Sequence, residues 1–126
     1  MKIFLDGADP VHMGLMYDKV SGYTTNPSLM LQSLATQYRA FAIRALDYAK
    51  GKPISFEVLA DDFTTMQSQA EQIAEWASNV YIKIPVTNTK GESSERLIRL
   101  LSSQGMKLNV TAVFTYDQIR MVARAL

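Results

Sequence analysis

Two hydrophobic patterns alternate along the chain, short apolar runs of strand type and longer stripes at three- and four-residue spacing. The clearest run is residues 79–86, Asn-Val-Tyr-Ile-Lys-Ile-Pro-Val, whose Val and Ile content predicts a parallel strand buried on both faces. Ahead of it, residues 3–5 predict a short strand ending at Asp6-Gly7, and Asp9 before Pro10 signals a helix that runs to about Lys19. Residues 22–25 predict a second strand closed by the turn residues Asn26-Pro27-Ser28. Leu31, Leu34, Ala35, Tyr38, Phe41, Ala42, Ala45 and Ala49 then form the stripe of a long amphipathic helix, with Gly51 at its C-terminal end.

The alternation continues. Residues 53–60 predict a third strand, and Asp61-Asp62 place acids at the positive end of the next helix, whose buried stripe is Met66, Ala70, Ile73, Ala74 and Ala77. Trp76 beside that stripe reads as packing. After the strand at 79–86, Leu97, Ile98, Leu100 and Leu101 mark a helix ended by Gly105, and residues 107–114 predict a fifth strand. Thr115 with Gln118 is a capping box, and Ile119, Val122 and Leu126 begin a fifth helical stripe, inside which the chain stops. Five strand–helix alternations define an α/β class with parallel strands joined by helical crossovers, in one domain spanning residues 1–126.

Polar residues interrupt the apolar strands in a coherent way. Residues two apart on a strand share a face. Asp6 ends strand one, Thr24 and Asn26 share one parity of strand two, Glu57 interrupts strand three, Lys83 strand four, and Asn109 and Thr111 share a face of strand five. Each polar group falls towards the C-terminal half of its strand, the end where parallel sheets and barrels build active sites. Desolvation favours the neutral form of a lysine, and a neutral amine is what attacks a carbonyl to make a Schiff base. The bland accounts are a Lys83 that points to water, a Glu57–Lys83 salt bridge that is purely structural, and ordinary strand or turn roles for Asp6, Thr24, Asn26 and Thr111. The set as a whole suits carbonyl chemistry on a polyhydroxylated substrate.

Composition narrows the alternatives. Thirteen basic against twelve acidic residues, with no basic run, give no electrostatic argument for nucleic acid or a membrane surface. Zero cysteines and a single histidine, His12, remove thiolate chemistry and make a zinc site or a Ser-His-Asp triad hard to assemble, so neither metal nor cofactor is expected. Residues 1–6 meet an acid after three apolar positions, unlike a signal peptide, and a cytoplasmic location is expected. Residues 91–94 lack the lysine and preceding strand that a glycine-rich phosphate loop needs.

Phe4-Leu5-Asp6, Thr24-Thr25-Asn26-Pro27-Ser28, Glu57-Val58-Leu59-Ala60, residues 80–86 and Asn109-Val110-Thr111 together resemble, in order and spacing, the transaldolase family. The resemblance is to the short transaldolases and fructose-6-phosphate aldolases, and it runs through the whole chain. It implies the first five βα units of a partial (β/α)8 TIM barrel and a class I, Schiff-base mechanism of the pentose phosphate pathway without a cofactor. By resemblance Lys83 forms the iminium, Asp6 is the acid/base for carbon–carbon cleavage, and Glu57 and Thr111 hold a water for proton transfers. Asn26 and Asn109 match residues that bind the dihydroxyacetone unit, with Thr24 nearby, and the substrate is a sugar phosphate. Glu57 matches the transaldolases, whereas the aldolase branch carries Gln.

Three departures stand out. Gly7 replaces a usual Thr or Ser, and Tyr23 replaces a smaller aliphatic residue; both are expected near the rim. Strands six to eight, with the serine and arginine that grip the phosphate in the family, are not in this sequence. The expected consequence is a missing C-terminal half, a homo-oligomer, or a non-catalytic partial barrel acting as a scaffold. The rival activities are a fructose-6-phosphate aldolase-type lyase and a deoxyribose-phosphate type of aldolase.

Overall fold

The computed structural model describes residues 1–7, 9–25 and 35–126 of the chain, without the side chains of 35–37. The elements follow in the order β1 (Phe4–Asp6), α1 (Pro10–Leu15), a 3-10 turn (Tyr17–Lys19), β2 (Gly22–Thr24), α2 (Ala35–Ala49) and β3 (Ile54–Glu57). They continue as α3 (Phe63–Ala74), β4 (Val80–Pro85), α4 (Glu95–Ser103), β5 (Leu108–Thr111) and α5 (Tyr116–Ala125). The five strands form one sheet in the order β1-β2-β3-β4-β5, every neighbouring pair parallel. Consecutive βα units placed side by side in this way are the repeating unit of a (β/α)8 barrel, and the described residues form five of them.

The helices cover one face of the sheet. Ile54, Phe56, Val80, Ile82 and Ile84 from the strands join Tyr38, Phe41, Ala45, Met66, Ala70, Ile73, Ile98 and Leu101 from the helices in a single buried core. Phe56 is its centre, meeting Trp76 edge-on at 5.3 Å, Tyr38 at 6.3 Å and Phe41 at 6.5 Å between ring centroids, so the packing role read for Trp76 holds. The other face differs. Tyr81, Lys83 and Pro85 are half-buried where Val80, Ile82 and Ile84 are buried, so β4 is not covered on both faces. Its true pattern is an alternation that the apolar Tyr81 and Pro85 disguise in the sequence.

Element boundaries shift for identifiable reasons. α1 ends at Leu15 rather than near Lys19, and the 3-10 turn that follows is held by the Lys52 ammonium, which binds the carbonyls of Tyr17 and Val20. β3 ends at Glu57: the Val58 amide makes the last ladder bond, to the Lys83 carbonyl, and the next two amides, Leu59 and Ala60, donate to Gln69 Oε1 on α3 instead of a strand neighbour. β5 stops at Thr111 because Ala112 takes a positive φ of 59° and turns the chain. Only Gly fits position 22, where a Cβ would lie 2.6 Å from both the Phe4 ring and the Pro53 carbonyl. Asn26 and the predicted turn around it, with Leu31 and Leu34 of the long stripe, lie outside the described residues.

Large apolar groups stand uncovered at both sides of the sheet, Ile3, Phe4, Val11 and Leu15 beside β1, and Phe114, Tyr116, Ile119 and Leu126 beyond β5. Unpaired strand edges flanked by apolar side chains favour association. No helix among the described residues is long and apolar enough to cross a membrane. Replacing Phe56 by alanine is expected to cost about 3–5 kcal/mol, since it empties the centre of the aromatic cluster; urea unfolding measures it. Gly22→Ala is also expected to destabilise, by about 1–3 kcal/mol, from the clash with a backbone carbonyl that cannot move aside.

Candidate active site

Strand register decides which polar groups meet. Asp6 is paired with Thr24, Thr24 with Ser55, and Ser55 with Tyr81, in one row across four strands. Two residues further along, Glu57 pairs with Lys83 and Lys83 with Asn109; one step beyond, Thr111 stands opposite Pro85. Paired residues share a face and residues two apart return to it, so all these side chains occupy the face opposite the helices. In a parallel barrel that is the inner face, at the C-terminal ends of the strands.

The centre of the site is an ion pair. Lys83 Nζ lies 3.2 Å from Glu57 Oε2, with the two side chains only 15% and 19% exposed. The same ammonium donates to the Thr25 carbonyl at 3.3 Å. Thr25 itself is fully buried, its amide and hydroxyl both donating to the Ser55 carbonyl, which leaves its own carbonyl free to face the lysine. Beneath the pair, Asn109 Nδ2 donates to Ser55 Oγ at 3.1 Å, reaching across β4 from β5 to β3. At the β1 side Thr24 Oγ1 donates to Asp6 Oδ1 at 2.8 Å. Lys83, Glu57 and Asn109 therefore form one cluster and Asp6 with Thr24 a second, joined through the Thr24–Ser55 pairing.

The surroundings brace Glu57 from the helical side. The Tyr38 hydroxyl donates to the Glu57 carbonyl at 2.9 Å. Burial pushes the Tyr38 phenol far above its ordinary range, outweighing the hydrogen bond to Glu57 that pulls it back, so Tyr38 stays a neutral donor. A groove of about 700 Å³ runs between α2 and α3, past Tyr38, Leu46, Leu59 and Trp76 to Glu57, but Lys83 does not line it. The Lys83 ammonium stands on the open inner face, outside that groove.

Sequence reasoning placed Lys83, Glu57, Asn109, Thr111, Asp6 and Thr24 towards the C-terminal ends of five strands, and the register sets them on one face; Asn26 lies outside the described residues. It missed Ser55 and the Thr25 carbonyl. Ser55 has the parity of Glu57, a signal that was present in the strand. Tyr23 was misplaced: it is buried on the helical face, its hydroxyl donating to the Met13 carbonyl, so it does not shape the rim. The alternation along β2 sends Tyr23 and Thr24 to opposite faces.

Parallel βα units set side by side, with a lysine–carboxylate pair on the inner face, define a barrel-type fold. The family described as Transaldolase/Fructose-6-phosphate aldolase matches residues 3–126. A protein named probable transaldolase from Dehalococcoides mccartyi is 36% identical over 127 residues, covering 99% of this chain and 57% of that protein. Probable transaldolases of Thermoanaerobacter sp. and Clostridium acetobutylicum are likewise 36% identical over 129 residues, each covering 99% of this chain and 56% of the relative. The chain belongs to the transaldolase/fructose-6-phosphate aldolase family, and it spans a little over half the length of these relatives.

Acids at the rim supply a pH test. Asp62, the N-cap of α3, accepts the Thr65 amide at 2.8 Å, and that bond holds its carboxyl below the usual aspartate range. A depressed carboxyl stabilises the fold above its unfolded value of about 3.9, and the contribution is lost as pH falls through the lower folded value. Asp62→Ala is therefore expected to be less stable than the parent at pH 7, with the difference shrinking as pH falls below about 4 in urea titrations.

Proposed function

We propose that this chain carries the Schiff-base half of a transaldolase site, transferring a dihydroxyacetone unit between sugar phosphates. The observation that carries the reading is the Lys83–Glu57 pair on the inner face, in register with Asn109 and one row from Thr24 and Asp6.

In this reading the Lys83 amine adds to the ketose-phosphate carbonyl, giving a carbinolamine. Glu57, with Thr111, holds a water that moves the protons needed to expel hydroxide as water and leave the iminium. The Asp6 carboxylate takes the proton of the substrate hydroxyl next to the breaking bond, the carbon–carbon bond opens, and its electron pair flows into the iminium to give an enamine. An aldose phosphate leaves. The enamine then adds to a second aldose phosphate such as erythrose 4-phosphate, Asp6 returns the proton, and water releases the new ketose from Lys83. Asn109 and Asn26 bind the retained three-carbon unit, with Thr24 beside them. Thr24 also orients Asp6, since its hydroxyl donates to the carboxylate.

Glu57 favours transfer over simple aldol cleavage, because transaldolases resemble this chain at that position and the lyase branch does not. The pathway is the pentose phosphate pathway and the compartment the cytoplasm, in line with a chain that carries no cysteine. The uncovered apolar groups at both sheet edges support a need for further βα units or a second copy of the chain to complete the rim, with residues 1–126 acting as one domain. The same groups favour the second reading, a partial barrel that serves as a non-catalytic scaffold.

Borohydride reduction in the presence of fructose 6-phosphate separates the readings. The expected result is a three-carbon adduct on the peptide containing Lys83, absent in Lys83→Met and formed about 10²-fold more slowly in Glu57→Ala. Folded protein that yields no adduct at Lys83 contradicts the enzyme reading. Without borohydride, release of free dihydroxyacetone from fructose 6-phosphate in the absence of an acceptor aldose identifies the lyase.

A further inference from the structure

The acidic pair Asp61-Asp62 divides its work. Asp62 caps α3, but Asp61 reaches from the β3–α3 loop to the β4–α4 loop. Its Oδ1 accepts the Thr89 amide at 2.7 Å and its Oδ2 accepts the Thr89 hydroxyl at 2.7 Å. Two charge-assisted bonds from one carboxylate to one residue fix both the separation and the orientation of the loops. The amide bond and then the hydroxyl bond from Thr89 hold the Asp61 carboxyl below its ordinary range.

Both loops are braced before the clamp joins them. On the β3 side, Gln69 Oε1 accepts the amides of Leu59 and Ala60 at 2.7 and 2.9 Å. On the β4 side, Asn88 Oδ1 accepts the amides of Lys90 and Glu92, Asn88 Nδ2 donates to Glu92 Oε2, and Thr87 pairs with Ser93. The β3–β4 backbone ladder closes with the Val58 amide donating to the Lys83 carbonyl at 3.2 Å. The Asp61–Thr89 clamp therefore ties two stiff segments just beyond the strand ends that carry Glu57 and Lys83.

We propose that Asp61 is a positioning residue which, through Thr89, holds the ends of β3 and β4 at the spacing that keeps the Glu57 carboxylate on the Lys83 amine. The catalytic consequence rests on the Schiff-base reading above; the geometric claim does not. Among the described residues Glu57 is the acid within ion-pair distance of Lys83, so a shift of β3 against β4 changes the environment of that amine directly. Asp61 itself touches neither group.

Competitive acetylation by acetic anhydride at neutral pH, read by mass spectrometry at each lysine, tests this on the full chain. Lys52, held by the carbonyls of Tyr17 and Val20, and Lys107, held by the Ser78 carbonyl, are internal controls. In Asp61→Ala, Lys83 is expected to label at least about threefold faster, because a displaced Glu57 carboxylate no longer holds the Lys83 nitrogen and leaves it open to the anhydride. Lys52 and Lys107 are unchanged. Asp61→Asn restores the parent rate to within about twofold, since its Oδ1 still accepts the amide and the Thr89 hydroxyl turns to accept from its Nδ2. Thr89→Val, which keeps the amide arm alone, falls between the two. Trapping with fructose 6-phosphate is expected to fall about tenfold in Asp61→Ala while acetylation rises at Lys83 alone, a pattern that general loosening, which also speeds labelling of Lys52 and Lys107, does not produce. An unchanged Lys83 rate in Asp61→Ala, or a rise shared by Lys52 and Lys107, overturns the proposal. A parent protein that forms no sugar adduct, with acetylation shifting as expected, sustains the clamp and removes the Schiff-base reading instead.

Discussion

A lysine ammonium and a glutamate carboxylate 3.2 Å apart, both mostly out of solvent, impose conditions on everything around them. Taking two charges from water is costly, and attraction between them repays it only where geometry is good and remaining hydrogen-bonding capacity is met. Here the Thr25 carbonyl takes a second bond from the ammonium. Thr25 is fixed in place for it by its amide and hydroxyl, which both donate to the Ser55 carbonyl. The carbonyl of Glu57 is meanwhile anchored by the buried Tyr38 hydroxyl on α2. A fully buried residue just after β2 and a helical tyrosine thus serve a charge pair that neither touches with its side chain.

The parallel sheet supplies the alignment. A register error of one residue on any strand would turn its polar group towards Phe56, Ile82 and the helices, where it could not be satisfied. Correct register is enforced by the apolar parity, Ile54 and Phe56 on β3 and Val80, Ile82 and Ile84 on β4, all buried. Packing of one face therefore determines chemistry on the other.

Much of this was legible in the sequence. Strand and helix alternate as the apolar periods predict, and the parity of Glu57, Lys83, Asn109 and Thr111 identifies the inner face without coordinates. What escaped was non-local or carried by the backbone. Gln69 shortens β3 from ten residues away, and Thr25 contributes a carbonyl that every residue possesses. Asp61 and Asp62 look alike in a string of letters, yet one caps its own helix and the other crosses to a loop 28 residues on. Tyr23 was read as a rim residue because adjacency in sequence suggested adjacency in space, which strand alternation forbids.

Whether the pair exists for chemistry or for stability is the central issue, and the two purposes make opposite thermodynamic demands. A structural salt bridge is worth keeping, whereas a functional pair in semi-apolar surroundings is retained at the expense of stability. The most direct measurement is urea unfolding of the double variant Lys83→Met with Glu57→Leu. A functional pair predicts stability equal to or above that of the parent, with each single variant less stable than the double because it leaves one charge unpaired. A double variant less stable than the parent by more than about 2 kcal/mol would make the pair structural and contradict the account.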